Sequence, residues 1–137
     1  EIAPACKDFC SSPFIIVNVA AWKTRANAPT LERGPTRMHR DGYAAGHFKC
    51  IIYVTALNAD MGLFQIGDKI ISSENPGLAV IFQNSKAHHK AIPGKKYDRY
   101  TLDITMMRTL RQTDLLRYYP GTPDDRHLLS PLYAYVS

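Results

Sequence analysis

The hydrophobic pattern breaks the chain into short extended runs separated by turn chemistry, with little that repeats at helical period. Residues 14–20, Phe-Ile-Ile-Val-Asn-Val-Ala, are apolar and β-branched and predict a strand, whereas 22–35, with Asn27-Ala28-Pro29 and Gly34-Pro35, predicts a loop. A long strand is expected over 47–57, where Ile, Val, Tyr and Thr are concentrated, and the five residues 58–62, Asn-Ala-Asp-Met-Gly, suit a hairpin turn. Short strands are expected over 63–66 and 69–72. A turn at Glu74-Asn75-Pro76-Gly77, a buried strand over 78–83 and a second turn at Pro93-Gly94-Lys95-Lys96 lead to a last strand over 99–107. There the alternation puts Tyr100, Leu102, Ile104 and Met106 on one face and Arg99, Thr101, Asp103 and Thr105 on the other. Six to eight short antiparallel strands with long loops predict a mainly all-β fold, a sandwich or jelly-roll barrel whose polar inner face can hold a small ligand. The stretch 111–137, with Pro120-Gly121, Pro123 and Pro131, is expected to pack as a C-terminal extension on a core formed by 1–110. Any helical or irregular segments are expected at the periphery.

Length and composition narrow this picture. A chain of 137 residues with 45% hydrophobic and 21% charged residues has room for one packed core, and no apolar run approaches the ~20 residues that span a bilayer. At this size a globular fold buries about two thirds of its unfolded surface, so a metal would need a functional reason. The formal charge of +5 is modest, and the basic residues are scattered, Arg33, Arg37 and Arg40 being the densest patch, which does not point to nucleic acid. Cys6 and Cys10 lack the second Cys or His pair of a zinc ribbon. The opening Glu1-Ile2-Ala3-Pro4 has no basic run followed by an apolar one, so the expectation is a cytoplasmic chain with reduced thiols.

The candidate chemistry begins at His39-Arg40-Asp41. Residues two apart on an extended segment point the same way, so an imidazole and a carboxylate are presented to one point; the same His-Arg-Asp-Gly could also form a solvated bend. His88-His89 follows the buried run 78–83, and Arg99 comes ten residues after His89, with Thr101 on its face. The ordered set, His39-Arg40-Asp41, the strand 49–57, Gly62-Leu63-Phe64, His89-Lys90-Ala91-Ile92-Pro93 and Arg99-Tyr100-Thr101, resembles the iron(II)- and 2-oxoglutarate-dependent oxygenases. The likeness is nearest to the phytanoyl-CoA dioxygenase-like branch and runs from about Phe14 to Met107.

That resemblance implies a double-stranded β-helix. It also implies His39, Asp41 and His89, or alternatively His88, as metal ligands and catalytic residues, with Fe(II), 2-oxoglutarate and O2 as cofactor and cosubstrates. Two imidazoles and one carboxylate leave three metal positions open, as non-haem oxygenases require. Arg99 would hold the distal carboxylate of 2-oxoglutarate with a bidentate fork, Thr101 would add a hydroxyl, and Lys49 and Tyr53, on one face of the long strand, would line the cavity. The implied reaction couples decarboxylation of 2-oxoglutarate to succinate and CO2 with hydroxylation of a small-molecule or conjugated substrate. Relatives carry a longer insert where only residues 65–77 intervene here, and a longer part before the barrel. That departure leaves a second reading, a non-catalytic jelly-roll module for binding or assembly.

Overall fold

The structure, a computed structural model, describes residues 14–30, 34–42 and 46–108. Among these residues seven strands are formed: β1 (Phe14–Thr24), β2 (His47–Tyr53), β3 (Gly62–Ile66), β4 (Lys69–Ile71), β5 (Ala79–Phe82), β6 (His89–Pro93) and β7 (Arg99–Arg108). They make two antiparallel sheets, ordered β1-β7-β2-β5 and β4-β3-β6. The segment 35–41 lies along the free edge of β6. His39 and His89 exchange both backbone hydrogen bonds there, at 3.0 and 2.8 Å, and Ala91 N–H donates to the Pro35 carbonyl at 2.7 Å. β3 and β4 form a hairpin whose turn has Gly67 at φ 55°, β1 and β2 both belong to the larger sheet, and the connections β2–β3, β4–β5, β5–β6 and β6–β7 cross from one sheet to the other. This is a double-stranded β-helix, the architecture the strand pattern and the resemblance pointed to.

Several local expectations change, and β2 ends at Tyr53, short of the expected residue 57. Residues 58–62 do form a tight turn, closed by Gly62 N–H to the Asn58 carbonyl at 2.7 Å and by the Asn58 side chain accepting from Asp60 and Met61 N–H. It is no hairpin, because β2 and β3 belong to different sheets and face each other across the core, where the Tyr53 and Phe64 rings lie 6.1 Å apart. β1 runs on through Trp22 to Thr24 because β7 continues to supply partners, Trp22 opposite Thr101 and Thr24 opposite Arg99. β6 has little strand propensity of its own, since His-Lys-Ala-Ile-Pro has one β-branched residue, and it is extended because β3 pairs with one edge and residues 35–39 with the other. No helix occurs among the described residues, and residues 111–137 lie outside them.

Alternation sorts the larger sheet into two faces. Phe14, Phe48, Cys50 and Met106 cluster on one face with Ile16, Ile52, Ile81 and Ile104; Tyr53, Leu57, Phe64, Val80 and Phe82 fill the space between the sheets. Burying a Phe such as Phe64 contributes about 1.5–3 kcal/mol. The inner face also carries Lys49 in β2 and Arg99, Thr101, Asp103 and Thr105 in β7, a polar stripe inside an otherwise apolar barrel.

Candidate metal centre

The reciprocal backbone pair between His39 and His89 sets the two imidazoles side by side, with ring centroids 4.4 Å apart. Asp41, two residues beyond His39, is tied to the end of β5 because its N–H donates to the Asn84 carbonyl at 3.0 Å. Its carboxylate then reaches both rings: Oδ1 lies 3.4 Å from His39 Nε2 and 3.8 Å from His89 Nε2. Among the described residues these three form the one group able to hold a metal ion, with donor atoms all within 4.8 Å of one another. Of the histidine pair, His89 turns inward at 4% exposure against the edges of Phe64 and Phe82, while His88 is exposed.

Each ring is oriented from behind. His39 Nδ1 donates to the Arg37 carbonyl at 2.7 Å, and His89 Nδ1 donates to the Ala87 carbonyl at 3.0 Å. A carbonyl only accepts, so Nδ1 carries a proton in each ring, and in the neutral tautomer Nε2 keeps its lone pair and faces Asp41 Oδ1. In that form three electron-rich atoms converge, an arrangement that a cation stabilises. Desolvation, the largest influence on His89, lowers its pKa and favours that neutral form despite the Ala87 carbonyl. For Asp41, burial taken alone would raise the pKa, but hydrogen bonds from Asn84 and Lys49, together with the positive charge of Lys49, outweigh it and hold the carboxyl below its ordinary range.

The second oxygen of Asp41 is already engaged. Oδ2 accepts from Asn84 Nδ2 at 3.0 Å and from Lys49 Nζ at 3.0 Å, and the same ammonium bonds Asp103 Oδ2 at 2.9 Å. Burial by itself would lower the Lys49 pKa, but its two carboxylate partners raise it on balance, so the amine stays charged. Asn84, fully buried, had no sequence signal: an Asn following an apolar strand reads as a turn residue. Asp103 lies on the polar face of its strand, as the alternation predicts, and its partner is Lys49 rather than Arg99.

Arg99 stands at the other end of the inner face. It is 3% exposed, and its Nη1 donates to the carbonyls of Leu63 at 2.9 Å and Ile92 at 3.3 Å, so a residue of the larger sheet is anchored on the smaller one. Nη2 meets Thr24 Oγ1 at 3.4 Å, the Tyr53 ring centroid lies 5.7 Å from Cζ, and Nε is buried with no partner. Among the described residues no carboxylate pairs with this guanidinium, and desolvation lowers its pKa. The unclaimed Nε–H and the weakly held Nη2 together form the side edge of the fork, the geometry that grips a carboxylate with two parallel bonds. Burial likewise raises the Tyr53 phenol, keeping it neutral beside Arg99. Thr101 shares this face and sits opposite Tyr53 and Trp22 in register.

The fold and these side chains define a double-stranded β-helix with a two-histidine, one-aspartate group inside the barrel. No family model matches the sequence, and no curated protein matches it either. Solved structures do match. They include the non-haem monooxygenase ThoJ in complex with nickel (TM-score 0.58, 12% identity, 78% of this chain and 49% of that one). Two more are non-haem α-ketoglutarate-dependent enzymes of nogalamycin biosynthesis: the epimerase SnoN (0.60, 14%, 78% and 54%) and the carbocyclase SnoK (0.60, 12%, 90% and 64%). At these identities the likeness is one of fold, and the chain spans about half to two thirds of the length of the proteins it matches.

Proposed function

We propose that the chain carries the catalytic barrel of a non-haem iron(II)- and 2-oxoglutarate-dependent dioxygenase of the phytanoyl-CoA dioxygenase-like kind, hydroxylating a small-molecule or conjugated substrate with release of succinate and CO2. The observation that carries it is the convergence of His39 Nε2, His89 Nε2 and Asp41 Oδ1, each fixed from behind by a hydrogen bond. The donor set suits a ferrous ion, with two imidazoles and a carboxylate as ligands and other positions left for exchangeable ones. When bound, that ion would supply the activation of O2 for decarboxylating the 2-oxo acid and attacking a C–H bond.

The chain's own side chains do the holding. Arg99 grips the distal carboxylate through its free edge, Thr101 offers a hydroxyl alongside, and Tyr53 walls the site and excludes water. His89 and Ile92 are three residues apart on β6, about 10 Å along the strand, so the metal and Arg99 ends are separated by a span that a five-carbon dicarboxylate and the guanidinium can bridge together. Charge supports the pairing. Asp41 and Asp103 balance Lys49 and Arg99, so a divalent cation and a dianion enter together with no net charge added to a low-dielectric barrel.

The test is an anaerobic titration of 2-oxoglutarate into the Fe(II)-loaded protein, followed by the charge-transfer absorbance of a chelated 2-oxo acid, then succinate release in air. One saturable iron per chain and succinate formation are expected. Arg99→Ala should bind iron as the parent does and weaken 2-oxoglutarate by about ten- to a hundredfold, from charge-assisted bonds of about 1.5–3 kcal/mol. Arg99→Lys should recover part of that affinity. Absence of a saturable iron site at neutral pH would leave the non-catalytic module in its place.

A further inference from the structure

The pair formed by Lys49 and Asp103 is expensive. An ammonium and a carboxylate are both largely buried, and Asp103 Oδ1 is buried with no hydrogen-bond partner, so the pair does not recover its own desolvation cost. A barrel built for stability alone would hold apolar side chains of similar volume at both positions. What the pair does achieve is a position. Lys49 stands opposite Thr105 and Phe82 in register, and Asp103 lies one inward-facing step along β7, so the carboxylate draws the ammonium along the sheet until it meets Asp41 Oδ2 at 3.0 Å. Asn84 holds the same oxygen from the β5 side. The two oxygens of Asp41 are thereby sorted: Oδ2 is saturated by two donors, and Oδ1 faces both imidazoles. Tyr53, beside Arg99, is four residues further along β2, about 13 Å away, so Lys49 belongs to the metal end of the barrel.

We propose that Lys49, anchored by Asp103, is a positioning residue that restricts Asp41 to a single coordinating oxygen and so keeps the remaining metal positions open. This inference rests on the metal-binding reading above. If Lys49 were absent, Asp41 could rotate toward chelation with both oxygens, since Asn84 alone does not saturate Oδ2. Supporting groups of this kind typically contribute ten- to a hundredfold in metal affinity.

The experiment uses cobalt(II), whose visible absorbance reports coordination number and geometry, and a double variant, Lys49→Met with Asp103→Leu. Removing one positive and one negative charge together leaves the net charge of the site constant, and the absorbance bands, which read coordination geometry, report position. The metal-free double variant should unfold at the parent's temperature or above it. Its cobalt affinity should fall about ten- to a hundredfold, and its absorbance bands should change. Asp103→Asn, which keeps an acceptor for Lys49, should retain the parent's bands while binding cobalt more weakly, because one negative charge is lost. A folded double variant with the parent's affinity and spectrum would overturn the proposal. So would a double variant that fails to fold, since the pair would then be scaffold, and so would altered bands in Asp103→Asn. A parent that binds no cobalt would instead remove the proposed function itself.

Discussion

Two neighbouring histidines differ here by one residue of strand phase. His88 and His89 point to opposite faces because the side-chain period of a strand is two, and the backbone exchange with His39 decides which face looks inward. His89→Ala should therefore abolish saturable Fe(II) or Co(II) binding, whereas His88→Ala should bind metal within about twofold of the parent, as a solvent-facing substitution does. Equilibrium titration of both purified variants checks this. Equal losses would mean that the loop, not the ring, had been disturbed. The sequence brings both histidines to attention and favours His89 only through its ten-residue step to Arg99, because phase within a five-residue strand is fixed by its partners.

At the scale of elements, Gly62 links the tight turn to the Arg99 end of the barrel. It begins β3 at φ 112°, and a Cβ there would sit 2.6 Å from the Ile92 carbonyl oxygen and 3.0 Å from Arg99 Nη1. The left-handed backbone strains any other residue, and the close approach lets β3 and β6 draw together beneath the guanidinium. Gly62→Ala should destabilise the fold by about 1–3 kcal/mol in urea unfolding and also weaken 2-oxoglutarate, because the displaced atoms are those that seat Arg99. Unchanged stability would mean that the turn relaxes freely. The Gly-x-Phe spacing was visible in the sequence. The reason for the glycine was not, since the crowding atoms come from β6 and β7.

For the whole molecule, the inner face of the larger sheet carries both ends of one charge arrangement. Asp41, Lys49 and Asp103 gather at the metal end and Arg99 at the other, with Tyr53, Phe64 and Phe82 between the sheets. A cation at one end and a dianion at the other should each favour the other's binding. By linkage, Co(II) should tighten 2-oxoglutarate by the same factor as 2-oxoglutarate tightens Co(II). Calorimetric titrations in both orders would measure the two factors. Independence of the two affinities would place the dianion away from the metal.

Local pattern by itself determined the strand-rich character of the chain, most strand positions and the polar inner face of the last strand, while the candidates His39, Asp41, His89 or His88, and Arg99 came from the ordered set that resembles the oxygenases. The local features follow from alternation and from side-chain chemistry, which act within a few residues. The tertiary structure decided what depends on remote partners. It made a strand of His89–Pro93, turned the 58–62 turn into a crossing between sheets, and chose His89 over His88 as the inward ring. It also brought Asn84 and Lys49 onto Asp41, forty-three and eight residues away along the chain. No window of sequence contains those contacts, because they exist only where separate strands share a face.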